Sequence, residues 1–474
     1  MAVRVDRLHH FAVAAVALLL LAYSSLAPAA RADAVDDYIQ AEMKKQNIPG
    51  LSLAVVKDGK VVKAQGYGLA NVELRVPATA DTVYEIGSVT KQFTAAAILM
   101  LVEQGKVGLD DTVGKYVEGT PDAWKAVTVR HLLTHTSGIK SYTGLPDFRK
   151  RTVLPTTKEE LVRLMAGHPL EFAPGAKWAY NNTGYFLLGL VIEKAGGKPY
   201  ADFLREHIFT PLGMTSTRVN DESAVIANRA SGYSRDKGAL RNADAISMTW
   251  PYAAGAIVST VTDLAKWDAA LNTERLLKKG SRDAMWTRVK LNDGKESDYG
   301  FGWSVGQVRG RRNLSHGGGI PGFSAFLSRF PEDGWTVVVL TNQDSGANPG
   351  AIARGVAGRY VAALAPVAAA PIEDKEPQVT ALVKSVYEQA ARGKVDAARF
   401  TPELAQIGEA QLKQGLKEFL QNLGPLQSIA LVERRDEGDN RLYRYRLAYK
   451  DAALLTLCTL NKEGKIAGLS VQPE

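Results

Sequence analysis

Two periods of hydrophobic alternation run along this chain, and the switches between them mark its elements. From Leu51 to Val56 and from Val61 to Gly66, short apolar runs flank Lys57-Asp58-Gly59-Lys60. An Asp-Gly pair between two such runs suits the left-handed dihedrals of a tight hairpin, so two antiparallel strands are predicted there. Val35 to Gln46, just ahead of them, reads as a short helix. A longer apolar stretch then opens at Tyr84-Glu85-Ile86-Gly87-Ser88-Val89-Thr90-Lys91 and continues to Gly105. From Ser88 to Gln104 it holds no proline or glycine, Ala95, Ala96, Ala97, Leu99 and Leu101 favour helix, and Gly105 stands where a left-handed cap would end one. A buried helix beginning at Ser88 is predicted.

The segment from Gly108 to Gly138 reads as helix and loop, a lid or subdomain. Thr157 with Glu160 forms a capping box for a helix reaching Gly167, and Thr260 with Asp263 does the same for a helix from Leu264 to Leu271. Strands are predicted at Tyr299–Val305, Phe323–Phe330 and Thr336–Leu340, with Glu332-Asp333-Gly334 as a hairpin turn. Such short connections mean an antiparallel sheet. Ala362 to Pro377, rich in Ala and Pro, reads as a linker. Beyond it, helices at Val379–Gly393 and Glu409–Asn422 precede strands at Arg441–Tyr449, Leu454–Leu460 and Ile466–Val471, a small α+β unit. No internal repeat is found.

Length and composition narrow the class. A chain of 474 residues suggests two or three domains. Its net charge of +8 comes from scattered Lys and Arg, which argues for solubility and attraction to anionic envelope polymers and against a nucleic-acid partner. Arg4 and Arg7 precede an apolar run from Phe11 to Leu21, and Ala30-Arg31-Ala32 supplies small residues before Asp33, the pattern of a cleaved secretory signal with a mature chain starting near Asp33. The single cysteine, Cys458, gives no disulfide, thiolate metal cluster or lipid attachment site. The expected location is periplasmic or secreted, with no membrane anchor after signal cleavage.

The candidate chemistry begins at Ser88. A serine at a helix start is an ordinary N-cap, but Lys91, three residues on, shares its face, and an amine beside a hydroxyl at a positive helix end is one way to make serine nucleophilic. The tetrad alone leaves both readings open. In Tyr180-Asn181-Asn182, a phenol near a lysine can have its pKa lowered enough to serve as a base. In His316-Gly317-Gly318-Gly319, glycines along a strand edge would let a substrate backbone approach and offer an N–H to an oxyanion. His131 and His135, spaced i and i+4, could ligate a metal, but no third ligand stands nearby and structural histidines fit as well. Gly302-Trp303-Ser304-Val305-Gly306 matches a G-x-S-x-G elbow, yet Gly306, Gly310 and a turn at Arg311-Arg312-Asn313 follow Ser304 instead of the helix an elbow requires.

The order Ser88-x-x-Lys91, Tyr180-x-Asn182, His316-Gly317-Gly318 resembles the serine β-lactamase and penicillin-binding protein superfamily, most closely the branch of class C β-lactamases, D-alanyl-D-alanine carboxypeptidases and related esterases. The resemblance covers about Val35 to Leu364; His131–Gly138, Gly255–Trp267 and Tyr299–Trp303 also look like its accessory segments. It implies an antiparallel sheet flanked by helices, with a helical subdomain, over residues 33–364, after a signal (1–32) and before a linker (365–377) and a small α+β domain (378–474). That last domain more faintly resembles the nuclear transport factor-like group; it carries no catalytic set, and docking or substrate gating is its expected role. The resemblance implies an acylated Ser88, with Lys91 and Tyr180 sharing its proton and Tyr180 activating the deacylating water. Asn182 would hold the substrate amide, His316 takes the place of a lysine, Gly317 and Gly318 border the substrate, and the N–H groups of Ser88 and Gly319 form the oxyanion hole. No cofactor or metal is implied. The expected substrate is a β-lactam, a D-amino acid cell-wall peptide or a small ester; a penicillin-binding sensor with slow or no deacylation is the alternative. An imidazole is largely neutral at pH 7, so His316 makes antibiotic hydrolysis less secure than the fold.

Overall fold

The computed structural model describes residues 33–365, 370–405, 416–450 and 452–473. The expected signal (1–32), residues 366–369 of the linker and residues 409–415 of the helix expected at Glu409 lie outside them. The chain forms two compact units, divided between Ala365 and Pro366.

The first unit is built on a seven-stranded antiparallel sheet. β1 (Gly50–Lys57) and β2 (Lys60–Asn71) form the Asp-Gly hairpin, with Asp58 and Gly59 at φ of 48° and 76°. β3 (Val76–Pro77) lies outside β2. Beyond the other edge of β1 the order runs outward through β7 (Trp335–Thr341), β6 (Phe323–Phe330), β5 (Arg311–Ile320) and β4 (Ser304–Val308). β1 is buried from Gly50 to Val56, with Ser52 the one polar side chain there, because both of its faces are covered. Leu51, Leu53 and Val55 pack with α1 (Ala34–Gln46) and the helix Pro349–Tyr360, while Ala54 joins the larger core around α2 (Thr90–Glu103). The period of two thus feeds two hydrophobic layers. α2 itself is buried from Thr90 to Leu101, and Phe93 packs on Trp267 of α4 (Val261–Ala270) at 4.5 Å between ring centroids.

Four expectations need correction. α2 starts at Thr90, not Ser88: Ser88 lies in a tight turn over Gly87–Val89, with Gly87 at φ +50°. The turn is imposed by β5. The last pair of β4 with β5 is Ser304 with Ser315, so His316–Ile320 of β5 is unpaired on that side. There the two backbones come so close that a side chain on Gly318 would overlap the Ile86 carbonyl, and one on Gly87 would lie 2.8 Å from the Gly319 nitrogen. Arg311–Asn313 opens β5 instead of turning. Tyr299–Trp303 is not strand but a turn folded onto α2, where a side chain on Gly302 would lie 2.6 Å from the Lys91 carbonyl oxygen. Finally, Thr260 caps α4 through the Asp263 N–H, but the Asp263 carboxylate does not return the bond; it accepts from Ser216 N–H and the Thr217 hydroxyl.

The second unit has helices Pro377–Ala391 and Lys417–Leu423 and a four-stranded antiparallel meander, β8 (Ser428–Glu437), β9 (Asn440–Ala448), β10 (Ala453–Leu460) and β11 (Ile466–Pro473). β8 escapes sequence reading because its second half, Glu433-Arg434-Arg435-Asp436-Glu437, carries no apolar alternation. Cys458 is buried in this unit, and burial pushes its thiol up to about 12, so it stays protonated. No helix among the described residues is long and apolar enough to cross a membrane.

The contact between β5 and the Ser88 turn yields a test. Gly318→Ala must push two backbones apart and is expected to lower stability by about 1–3 kcal/mol or more. Gly306→Ala, whose side chain meets nothing within 4 Å, should change it by less than about 0.5 kcal/mol. Chemical denaturation of the two variants beside the parent checks this.

Candidate active site

Ser88 caps nothing: neither the turn it sits in nor α2 has a side-chain cap bond. Its hydroxyl is left to Lys91 one turn on, whose Nζ lies 3.1 Å from Ser88 Oγ, 2.8 Å from Asn182 Oδ1 and 2.7 Å from the Ala254 carbonyl oxygen. The lysine is fully buried, and loss of hydration alone holds its pKa well below the ordinary lysine value. Two of its three partners can only accept. A neutral amine with two hydrogens serves both and turns its lone pair toward the one partner able to donate, the Ser88 hydroxyl.

Tyr180 closes the group from the loop before α3 (Asn182–Gly196). Lys91 Nζ sits 4.9 Å from its ring centroid, and its hydroxyl is hydrogen-bonded to Ser88. Although 37% of Tyr180 is exposed, the hydroxyl faces inward, and desolvation lifts its pKa well above the ordinary phenol, outweighing the downward pull of the Ser88 bond. This corrects the expectation of a lowered phenol pKa: loss of hydration at the hydroxyl is the larger influence. Asn182, expected to hold substrate, has its oxygen on Lys91 and its amide nitrogen 3.3 Å from Thr143 Oγ1.

His316 lies on the open part of β5 and is 5% exposed. Its Nδ1 is 2.6 Å from the Gly317 carbonyl oxygen, so Nδ1 carries the proton and donates; Nε2 then accepts from the Tyr299 hydroxyl at 2.8 Å. Burial, with the Lys91 amine nearby, lowers its pKa to about 3. The imidazole is therefore neutral at physiological pH, with both nitrogens occupied. Gly317 and Gly318 follow it along β5, and Gly319 reaches the cleft beside Ser88.

That cleft, about 130 Å³, is walled by Tyr142, Phe148, Ile246, Trp250, Pro251 and Ile320, and no charged residue lines it. Its aromatic wall, the Ala254 carbonyl and the Tyr299 hydroxyl escape sequence reading, because they act through position in short helices and turns that no residue pattern singles out. The elbow serine, Ser304, begins β4 with no helix after it. The two histidines with metal-ligand spacing do not share a site: His131 Nδ1 accepts the Thr128 N–H at 3.2 Å, and the described residues contain no group of three or more candidate ligands.

The family model described as Beta-lactamase matches residues 35–361. Penicillin-binding protein 4* of Bacillus subtilis (strain 168) is 32% identical over 316 residues, 64% of this chain and 69% of that protein. Among solved structures, the octameric penicillin-binding protein homologue from Pyrococcus abyssi superposes with a TM-score of 0.63 at 28% identity, covering 91% of this chain and 94% of that one. The D-amino acid amidase from Ochrobactrum anthropi SV3, complexed with L-phenylalanine amide, gives 0.59 at 26% identity, covering 69% and 99%. With a matching family model over most of its length and the fold common to these relatives, the chain belongs to the beta-lactamase family, a superfamily of serine hydrolases and penicillin-binding proteins.

Proposed function

We propose that the protein hydrolyses amides or esters that carry no carboxylate beside the scissile bond, with apolar acyl or D-aminoacyl groups, through an acyl-enzyme on Ser88. The observation that carries this reading is the buried Lys91 amine 3.1 Å from the Ser88 hydroxyl, where loss of hydration favours its neutral form. Lys91 takes the hydroxyl proton as Ser88 Oγ attacks the carbonyl carbon. The N–H groups of Ser88 and Gly319 receive the oxyanion, each donor being worth about 3–4 kcal/mol in such sites. As the tetrahedral species collapses, the leaving nitrogen or oxygen takes a proton from the Tyr180 hydroxyl, which Lys91 restores. Water then loses a proton back through Tyr180 to Lys91, attacks the ester, and frees the acid and Ser88.

The cleft supports this substrate class. A carboxylate beside the scissile bond, as in a β-lactam or a C-terminal D-amino acid, needs a cation, and a neutral His316 engaged by Tyr299 supplies none. Tyr142, Phe148 and Trp250 suit an apolar side chain on the acyl group. Likeness to the D-amino acid amidase supports an aminoacyl amide as one such substrate. The leader-like residues from Arg4 to Ala32 support action in the periplasm or outside the cell.

Incubation with a p-nitrophenyl ester of an apolar acid should leave an acyl adduct in the intact mass of the parent and none in Ser88→Ala, with turnover lowered about 10⁴-fold or more. The neutral ester should exceed its carboxylate-bearing analogue at least tenfold in kcat/KM. Fluorescent penicillin retained on Ser88 without turnover of either ester would instead identify a sensor.

The pH dependence has a defined sign. Acylation needs neutral Lys91, so kcat/KM should rise with pH and level off well below the ordinary lysine pKa. It should fall again only where Tyr180 loses its proton, above the ordinary tyrosine value. With His316 near 3, KM should be flat from about pH 5 to 8, where an ordinary histidine would titrate. Steady-state rates across pH test both limbs.

A further inference from the structure

His135 takes no part in the proton transfers above, yet it is fully buried against the residues that do. Its ring lies 4.4 Å from that of Tyr180, 5.1 Å from Tyr185 and 4.6 Å from Tyr299, centroid to centroid. Its backbone is left-handed, φ 60°, a conformation that a residue with a side chain rarely holds without a local reason.

The reason lies in how it grips the neighbouring loop. The Ala179 N–H donates to the His135 carbonyl at 2.9 Å, and the Asn181 N–H donates to His135 Nδ1 at 3.1 Å. The residues directly before and after Tyr180 are thus tied to one histidine, whose ring also packs against the phenol at a tilt of 43°. Because Nδ1 accepts a backbone N–H, the ring proton sits on Nε2, which has no hydrogen-bond partner although it is buried. The ionisable groups facing the ring are Lys91, His316 and the three tyrosines. Burial is the main reason the imidazole is held well below its ordinary pKa.

We propose that His135 is a positioning residue. Through its carbonyl, Nδ1 and ring face it fixes the Tyr180 hydroxyl at Ser88 and Lys91, and its left-handed backbone aims all three at the loop. The inference rests on the acyl-enzyme reading of this site and adds a residue to it. It also accounts for the pairing of His131 and His135 at helical spacing without a metal: the first completes the cap at Thr128, the second holds the tyrosine.

The test uses the full chain and three substitutions. In His135→Asn the side-chain oxygen falls near the place of Nδ1, and asparagine tolerates the left-handed backbone. In His135→Gln the polar end reaches past that place, toward Nε2, and His135→Leu has no acceptor. With kcat taken per folded molecule, the Asn variant should stay within about threefold of the parent. Gln and Leu should lose about 100-fold in kcat with KM changed less than about threefold. In the two slow variants the rising limb of the pH profile should move to higher pH, as water reaches Lys91. If Leu does not fold, the comparison of Asn with Gln decides. Equal kcat and equal pH profiles for folded Asn and Gln variants overturn the proposal, as does a folded Asn variant as slow as Leu or Gln. A parent that forms no Ser88 adduct overturns the acyl-enzyme reading itself, and the unsubstituted chain alone reveals that.

Discussion

Lys91 is held where no water competes for its amine and no carboxylate compensates a charge on it. Moving an ammonium into such surroundings costs several kcal/mol even after relaxation, whereas a neutral amine needs only its hydrogen bonds. Asn182 and Ala254 supply acceptors, α2 shuts out water with apolar side chains, and the faces of Tyr180 and Tyr185 cover the remainder at 4.9 and 5.3 Å. Core packing and reactivity are therefore one problem in this domain. The same apolar surroundings that stabilise the helix lower the pKa of the amine beside Ser88.

A second effect of that dryness is electrostatic silence. His316 and His135 flank Tyr180, at ring distances of 6.2 and 4.4 Å, and each has a nitrogen committed to the backbone in a way that fixes a neutral tautomer. The phenol consequently keeps its proton, as the proposed relay between Ser88 and Lys91 requires. The cleft beside Ser88 is lined without a charged residue, which is what the proposed choice of substrate by shape and apolar surface rests on. His316 stands where the resemblance leads one to expect a lysine, and its neutrality bears on the proposed substrate.

The fold is legible in the sequence wherever two signals coincide. The Asp58-Gly59 turn between apolar runs, the uninterrupted α2 and the Thr157–Glu160 box all appear at or within a few residues of their expected places. Elements shaped by tertiary contact are not legible. The Ser88 turn exists because β5 presses on it, and Tyr299–Trp303 bends because Gly302 packs onto the Lys91 carbonyl. In the site, Ser88, Lys91 and Tyr180 announce themselves by residue type and spacing, and the structure brings them together. Asn182 stands at the same place for a different reason than its motif suggests, since its oxygen orients the lysine. Ala254 contributes a backbone carbonyl, which no side-chain pattern encodes. His135 carries a visible motif, but its use depends on a left-handed backbone that its spacing from His131 conceals.

The meeting of Gly87 with Gly318 and Gly319 also bears on how this enzyme can change. Two main chains, not side chains, set the gap between the nucleophile and the strand beside it, so mutation has almost no adjustable dimension there. Diversification among descendants of such a scaffold would fall instead on Tyr142, Phe148 and Trp250, where residues can be exchanged in size without moving the reacting atoms. The geometry of bond making is inherited nearly intact, while the choice of molecule can drift.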